Sequence, residues 1–99
     1  QARIMNITDE QSTYCEEVFT SLRSRGIRIE KDLRNEKLNY KIREAQLMKV
    51  PYMLIVGDRE KNEGTVTVRH RSGQNLPAMT PEDFADLVAE ECRLNTSKN

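Results

Sequence analysis

The chain has 99 residues, 36% of them hydrophobic and 32% charged, with five aromatics and no Trp, which is enough for one modest core and leaves no room for a second domain. Sixteen basic and sixteen acidic residues cancel, which argues against a nonspecific nucleic-acid binder held by bulk charge, and no apolar run approaches the ~20 residues of a membrane span. Charge is nonetheless uneven. Arg23 to Lys49 holds nine basic and four acidic residues while Glu82 to Glu91 holds five acids and no base, so one flank is expected to be basic.

In chain order, Ile4, Met5 and Ile7 mark a first strand over Ala2 to Ile7. Thr8-Asp9-Glu10-Gln11 then reads as a capping box. It opens a helix with Tyr14, Cys15, Val18, Phe19 and Leu22 facing inward, which Gly26 terminates. Ile27, Ile29 and Leu33 suggest a second strand. Leu38, Ile42, Ala45 and Met48 recur at helical spacing, with Lys37, Lys41, Arg43 and Glu44 outside the stripe. Val50-Pro51 stops that helix, and Tyr52 to Val56 is apolar throughout but too short for another, as a strand covered on both faces requires. This order predicts two right-handed crossovers and a parallel three-stranded core.

Gly57 to Glu60 reads as a polar loop at the sheet edge, where open α/β folds commonly place their sites. Val66 and Val68 alternate with Thr65, Thr67, Arg69 and Arg71, as in a strand with one solvated face. Ser72-Gly73 suggests a turn into a short final strand near Leu76 to Met79. Thr80-Pro81 caps a closing helix with Phe84, Leu87, Val88 and Cys92 on its inner face, and Asn95 to Asn99 is a polar tail expected to fray. The expectation is an α/β fold, a mixed five-stranded sheet with three helices, in a single domain over residues 1–99 cut from a larger protein.

Read residue by residue, most candidate side chains have plain structural roles. Cys15 and Cys92 lie on apolar stripes and fit free buried thiols better than a disulfide or metal pair. Asn35 suits a helix N-cap, and Lys37, Lys41, Arg43 and Lys49 suit a solvated helix face. Glu60 fits an exposed loop acid and Arg69 a surface ion pair. Packing is expected of Tyr40 and Tyr52, and His70 has no partners for a metal site. There is no glycine-rich phosphate loop, no nucleophile beside a base and no zinc-ligand cluster, so no catalytic, cofactor-binding or metal residue is expected. Nothing at the start resembles a signal peptide, which points to the cytoplasm.

The segment RNEKLNYKIREAQLMKVPYMLIVGDRE, from Arg34 to Glu60, closely resembles the C-terminal anticodon-binding domain of threonyl-tRNA synthetase, a class II ligase. The likeness continues through IMNITDEQ and GIRIEKD upstream and GTVTVRHRSG downstream, so it covers nearly the whole chain. It implies a domain that binds the anticodon loop of tRNA(Thr). The parent enzyme would join threonine to that tRNA using ATP, as a homodimer with ATP and zinc in its catalytic domain. The resemblance points to Arg34, Asn35, Lys37, Lys49, Glu60 and Arg69 as the RNA-binding residues. Lys49 stands where related sequences often carry Arg, keeping the charge and losing the planar fork, which favours phosphate contact. For Glu60 it implies acceptance of both donors on the Watson–Crick edge of guanine. The alternatives are the corresponding domain of a histidyl-, prolyl- or glycyl-tRNA synthetase, against which the RNEKLNYKIREAQ block argues, and a protein-interaction module of the same fold.

Overall fold

A computed structural model describes the backbone of residues 2–97 and the side chains of residues 2–90. Its elements run β1 (Ala2–Asn6), a 3-10 turn (Asp9–Gln11), α1 (Ser12–Ser24), β2 (Ile29–Asp32), α2 (Leu38–Leu47), β3 (Tyr52–Val56), α3 (Asp58–Glu63), β4 (Thr67–His70) and α4 (Pro81–Ser97). The strands form one sheet in the order β2-β1-β3-β4. β1 pairs parallel with β2 and with β3, and β3 pairs antiparallel with β4. The parallel three-stranded core and the mixed sheet therefore agree with the sequence reading. Because the chain steps from β1 to β2 and then back past β1 to β3, two crossovers of one hand must pass over opposite faces. α1 accordingly packs on one face and α2 on the other.

Several boundaries follow from local chemistry. Gln11 Oε1 accepts the Thr8 N–H at 2.7 Å and Gln11 Nε2 donates to Thr8 Oγ1 at 2.8 Å, so the expected capping box starts α1 through the 3-10 turn. At its other end Gly26 takes φ 83° and the Ile27 N–H returns to Leu22 O at 3.2 Å. This is a left-handed stop that a side chain would strain. Thr80 Oγ1 accepts the Asp83 N–H at 3.2 Å, with Pro81 opening α4.

Among the described residues the sheet has four strands where five were expected. Leu76 N donates to Val68 O at 2.9 Å, and Val66 and Met79 exchange bonds of 2.8 and 3.0 Å, yet only isolated bridges form there. Pro77, between those contacts, has no N–H to extend a ladder. Among the described residues there are four α-helices where three were expected, because Asp58–Glu63 is helical. That segment has no apolar stripe, and its side chains are exposed apart from half-buried Glu60.

The main core lies on the α1/α4 face and includes Ile4, Leu22, Leu54, Val68 and Phe84, all fully buried. Tyr52 meets Phe84 edge-on at 5.5 Å and His70 at 5.3 Å between ring centroids, so Tyr52 packs as expected and His70 closes one end of that cluster. Cys15 is a buried free thiol, pushed up to about 12 by burial. The Cys92 side chain lies outside the described residues. α4 runs to Ser97, past the start of the expected frayed tail at Asn95. Under α2 a smaller cluster joins Met5, Ile42, Ala45 and Met53.

Candidate nucleic-acid interface

The α2 face of the sheet is polar outside that small cluster. Strand alternation places Glu30 and Asp32 of β2, Arg3 and Met5 of β1, Met53 and Ile55 of β3 and Thr67 and Arg69 of β4 on one side, in successive rungs. α2 spans only the middle of this row. The β3–β4 side stays half open, with Ile55, Thr67 and Arg69 all partly exposed.

Because β1, β2 and β3 are parallel, the segments that follow them gather at one end of the sheet. The turn of Arg34, Asn35 and Lys37 follows β2, and Glu60 follows β3 in α3. Arg34 makes a forked pair with Asp32, with Nε to Oδ1 and Nη2 to Oδ2 both at 2.8 Å, and reaches Glu44 Oε1 at 3.0 Å. Its hydrogen bonds to these carboxylates push its pKa up, and the guanidinium beside Asp32 holds that carboxyl below its ordinary value. Tyr40 is not packed in the core as expected: it is 48% exposed, and the Arg34 guanidinium lies 5.7 Å from its ring centroid. Asn35 and Lys37 are exposed. Asn35 is not the helix cap; that position belongs to Lys37, extended at φ −65° and ψ 141°, whose carbonyl accepts the Tyr40 and Lys41 N–H groups at 3.0 and 3.2 Å.

Lys41 departs furthest from expectation. It is 1% exposed, and its Nζ donates to Asn6 O at 3.1 Å and Asn6 Oδ1 at 2.7 Å. Burial lowers its pKa. The lysine thereby pins the first turn of α2 to the end of β1. The expected stripe also loses its last member, since Met48 caps the helix and is 62% exposed.

Glu60 is not a loop acid but the third residue of α3. Its Oε1 accepts the Gly57 N–H at 2.7 Å and its Oε2 accepts the Thr67 hydroxyl at 3.0 Å. A Cβ on Gly57 would stand 2.8 Å from Ile7 Cδ1 and 3.3 Å from Glu60 Oε1, so glycine leaves room for the carboxylate to fold back. Two further bonds tie α3 to the turn after β1: Gln11 Nε2 to Asp58 Oδ1 at 2.6 Å and Lys61 Nζ to Glu10 O at 3.0 Å. Gln11 is 1% exposed. Nothing in the sequence connects it to Asp58, since the pairing is made only by the parallel register of β1 and β3.

Arg69 stands two residues along β4 from Thr67, opposite Met53. Its Nε is buried without a hydrogen-bond partner among the described residues. Lys49 is apart from the rest. It follows α2 at the opposite end, separated from Lys37 by the helix, which is about 15 Å long, and sits in the left-handed region at φ 61°. Arg71 Nη1 reaches the Lys49 carbonyl at 3.5 Å, which connects it to the strand bearing Arg69. The six residues thus frame the α2 face and do not share one cavity: the cleft of about 240 Å³ beside Arg3, Asp32 and Glu44 takes in Arg34 and none of the other five. Among the described residues no group of three His, Cys, Asp or Glu side chains is placed to hold a metal ion, and no helix is long and apolar enough to cross a membrane.

A half-open sheet face edged by Lys37, Lys49, Arg69 and the carboxylate of Glu60 is suited to single-stranded nucleic acid, where phosphates and base edges are both accessible. Residues 1–91 match the family model described as an anticodon binding domain, and the chain belongs to that family. It is 58% identical over 92 residues to the threonine–tRNA ligase of Syntrophotalea carbinolica and 54% identical over 97 residues to that of Clostridium novyi. These alignments cover 93% and 98% of the chain, which spans only 14% and 15% of those relatives. Among solved structures, the RNA binding domain of threonyl-tRNA synthetase from Cryptosporidium parvum superposes with a TM-score of 0.86 at 28% identity, covering 91% of this chain and 23% of that one. Histidyl-tRNA synthetase from Nostoc sp. shares the fold, with a TM-score of 0.84 at 18% identity over 93% of this chain and 22% of its own.

Proposed function

We propose that this domain binds and recognises the anticodon loop of tRNA(Thr) as the C-terminal part of a threonine–tRNA ligase, which attaches threonine to that tRNA using ATP. The reading is carried by the 58% identity to a threonine–tRNA ligase across 93% of the chain, joined to a face whose open half presents Glu60 and Arg69. Adenylate chemistry, ATP and zinc belong to other parts of the parent enzyme, which acts as a homodimer in the cytoplasm, and these residues serve only to hold the tRNA. In this reading Asn35 and Lys37 meet the loop at one end of α2 and Lys49 takes a phosphate at the other. Glu60 and Arg69 read the guanine and uracil that threonine anticodons share in their last two positions. Arg34, already paired with two carboxylates, orders its turn and contributes the smallest phosphate contact.

Calorimetric titration of the chain with anticodon stem-loops for threonine and for histidine, proline and glycine tests this. Preference for the threonine loop is expected, with log K falling against log salt by about 0.7 per neutralised phosphate. Equal affinity for all four loops would overturn the recognition of tRNA(Thr), and affinity independent of salt would favour a protein partner.

A further inference from the structure

Resting on the reading of Glu60 as the guanine acceptor, we propose that Thr67 is a positioning residue that sets the Glu60 carboxylate for two-point recognition. A carboxylate offers about four lone-pair sites on its two oxygens. The Gly57 N–H takes one site on Oε1 and the Thr67 hydroxyl one on Oε2. One site remains on each oxygen. Guanine presents two parallel donors, N1–H and the 2-amino group, one for each oxygen. Adenine presents a donor beside the N1 acceptor, so one carboxylate oxygen would meet a lone pair, a buried mismatch that costs more than a missing bond.

The two anchors do different work. The Gly57 bond is made within the first turn of α3 and holds Oε1, but a single anchor leaves the terminal carboxylate torsion broad. Thr67 comes from a different element, across the β3–β4 pair on the rung of Ile55, and fixes the second oxygen and hence the plane. Its place on the strand does not itself require a hydroxyl: Thr67 is half-buried, outside the apolar cluster under α2, where a β-branched Val would fit as well. The side chain that needs the hydroxyl is Glu60.

The test titrates the chain and four variants, Thr67→Val, Thr67→Ser, Glu60→Ala and the Thr67→Val/Glu60→Ala double variant, with two stem-loops. One carries the threonine anticodon and the other has adenine in place of its central guanine. Thr67→Val is expected to lower the guanine-over-adenine ratio on the order of three- to tenfold, Thr67→Ser to keep it within about twofold, and Val to add no further loss once Glu60 is Ala. A retained ratio in Thr67→Val beside a lost one in Glu60→Ala would overturn the positioning role and leave Glu60 as the reader. A retained ratio in Glu60→Ala would overturn both. A loss in Thr67→Val that is equal for the two loops would mean that Thr67 supports only the fold, and would also overturn the proposal.

Discussion

The two faces of the sheet are built on opposite terms. Among the described residues, fifteen buried residues form one apolar cluster on the α1/α4 side, whereas on the α2 side only four do, and the sheet there otherwise carries Arg3, Glu30, Asp32, Ile55, Thr67 and Arg69, with Lys41 reaching in from α2. Apolar burial at roughly 25 cal/mol per Å² favours the first face as the source of stability. The second is held by directed polar bonds, Lys41 to Asn6, Arg34 to Asp32 and Thr67 to Glu60, which fix side chains in place and contribute less net energy. The domain can keep a half-open, chemically specific face because the opposite one supplies the core.

The largest effect is expected on the apolar side. Phe84→Ala removes a fully buried ring between α4 and Tyr52 and is expected to cost about 3–5 kcal/mol in urea unfolding. On the α2 side, Lys41→Met keeps the stem but leaves Asn6 O and Oδ1 without their donor. The release of a buried ammonium partly offsets that, so the same assay is expected to read a loss of about 1–2 kcal/mol. If Lys41→Met matched Phe84→Ala, the division between the faces would fail.

Titration separates the faces as well. Cys15 rises from 9.0 and Tyr14 from 10.0, each to about 12 and each chiefly through burial. Between those values the folded chain holds protons that the unfolded chain has lost, so stability falls as pH rises above 9, by up to about 1.4 kcal/mol per pH unit per group. Lys41 has the opposite sign. Its lowered pKa leaves the unfolded chain holding the extra proton, so its contribution improves as pH climbs toward 10.5. Cys15→Ala is expected to flatten the alkaline decline in a series of melts from pH 8 to 11, and Lys41→Met to steepen it. At acid pH, Asp32, lowered first by its bond from Arg34, contributes stability that is present above its ordinary value and lost as pH falls through the lowered one. Asp32→Asn is expected to remove that acid-side loss.

The smallest effect is the most diagnostic of the polar face. Lys49→Gly relieves a left-handed lysine and is expected to raise stability by about 0.5–1 kcal/mol. In the proposed reading the same change removes a phosphate partner, so the salt slope with the threonine stem-loop is expected to shrink by about 0.7. Greater stability with an unchanged slope would take Lys49 out of the interface.

What the sequence disclosed followed the same division. The apolar run at Tyr52–Val56, the box from Thr8 to Gln11, Gly26 and the Thr80-Pro81 start are local patterns, and the structure keeps each one. α3 was hidden because its six residues have no apolar period, though Gly57 and Gly64 bracket it and Glu60 stands at its third position. Lys41 was misread by residue type: three after Leu38 and four before Ala45, it lies on the buried stripe, and its long stem carries the ammonium to Asn6. The short strand near Leu76 failed at Pro77. The link from Thr67 to Glu60 could not be read at all, because it exists only once β4 has paired with β3.

The central claim, that the α2 face and not the α1/α4 face meets RNA, is tested most directly by mapping backbone amide shifts of the labelled chain during titration with the threonine stem-loop. Shifts are expected to concentrate at Arg34–Lys37, Lys49, Glu60 and Thr67–Arg69, with α1 and α4 unmoved. Shifts centred instead on the groove where Gly26 and Ile27 meet Ala85 and Ala89 of α4 would contradict it.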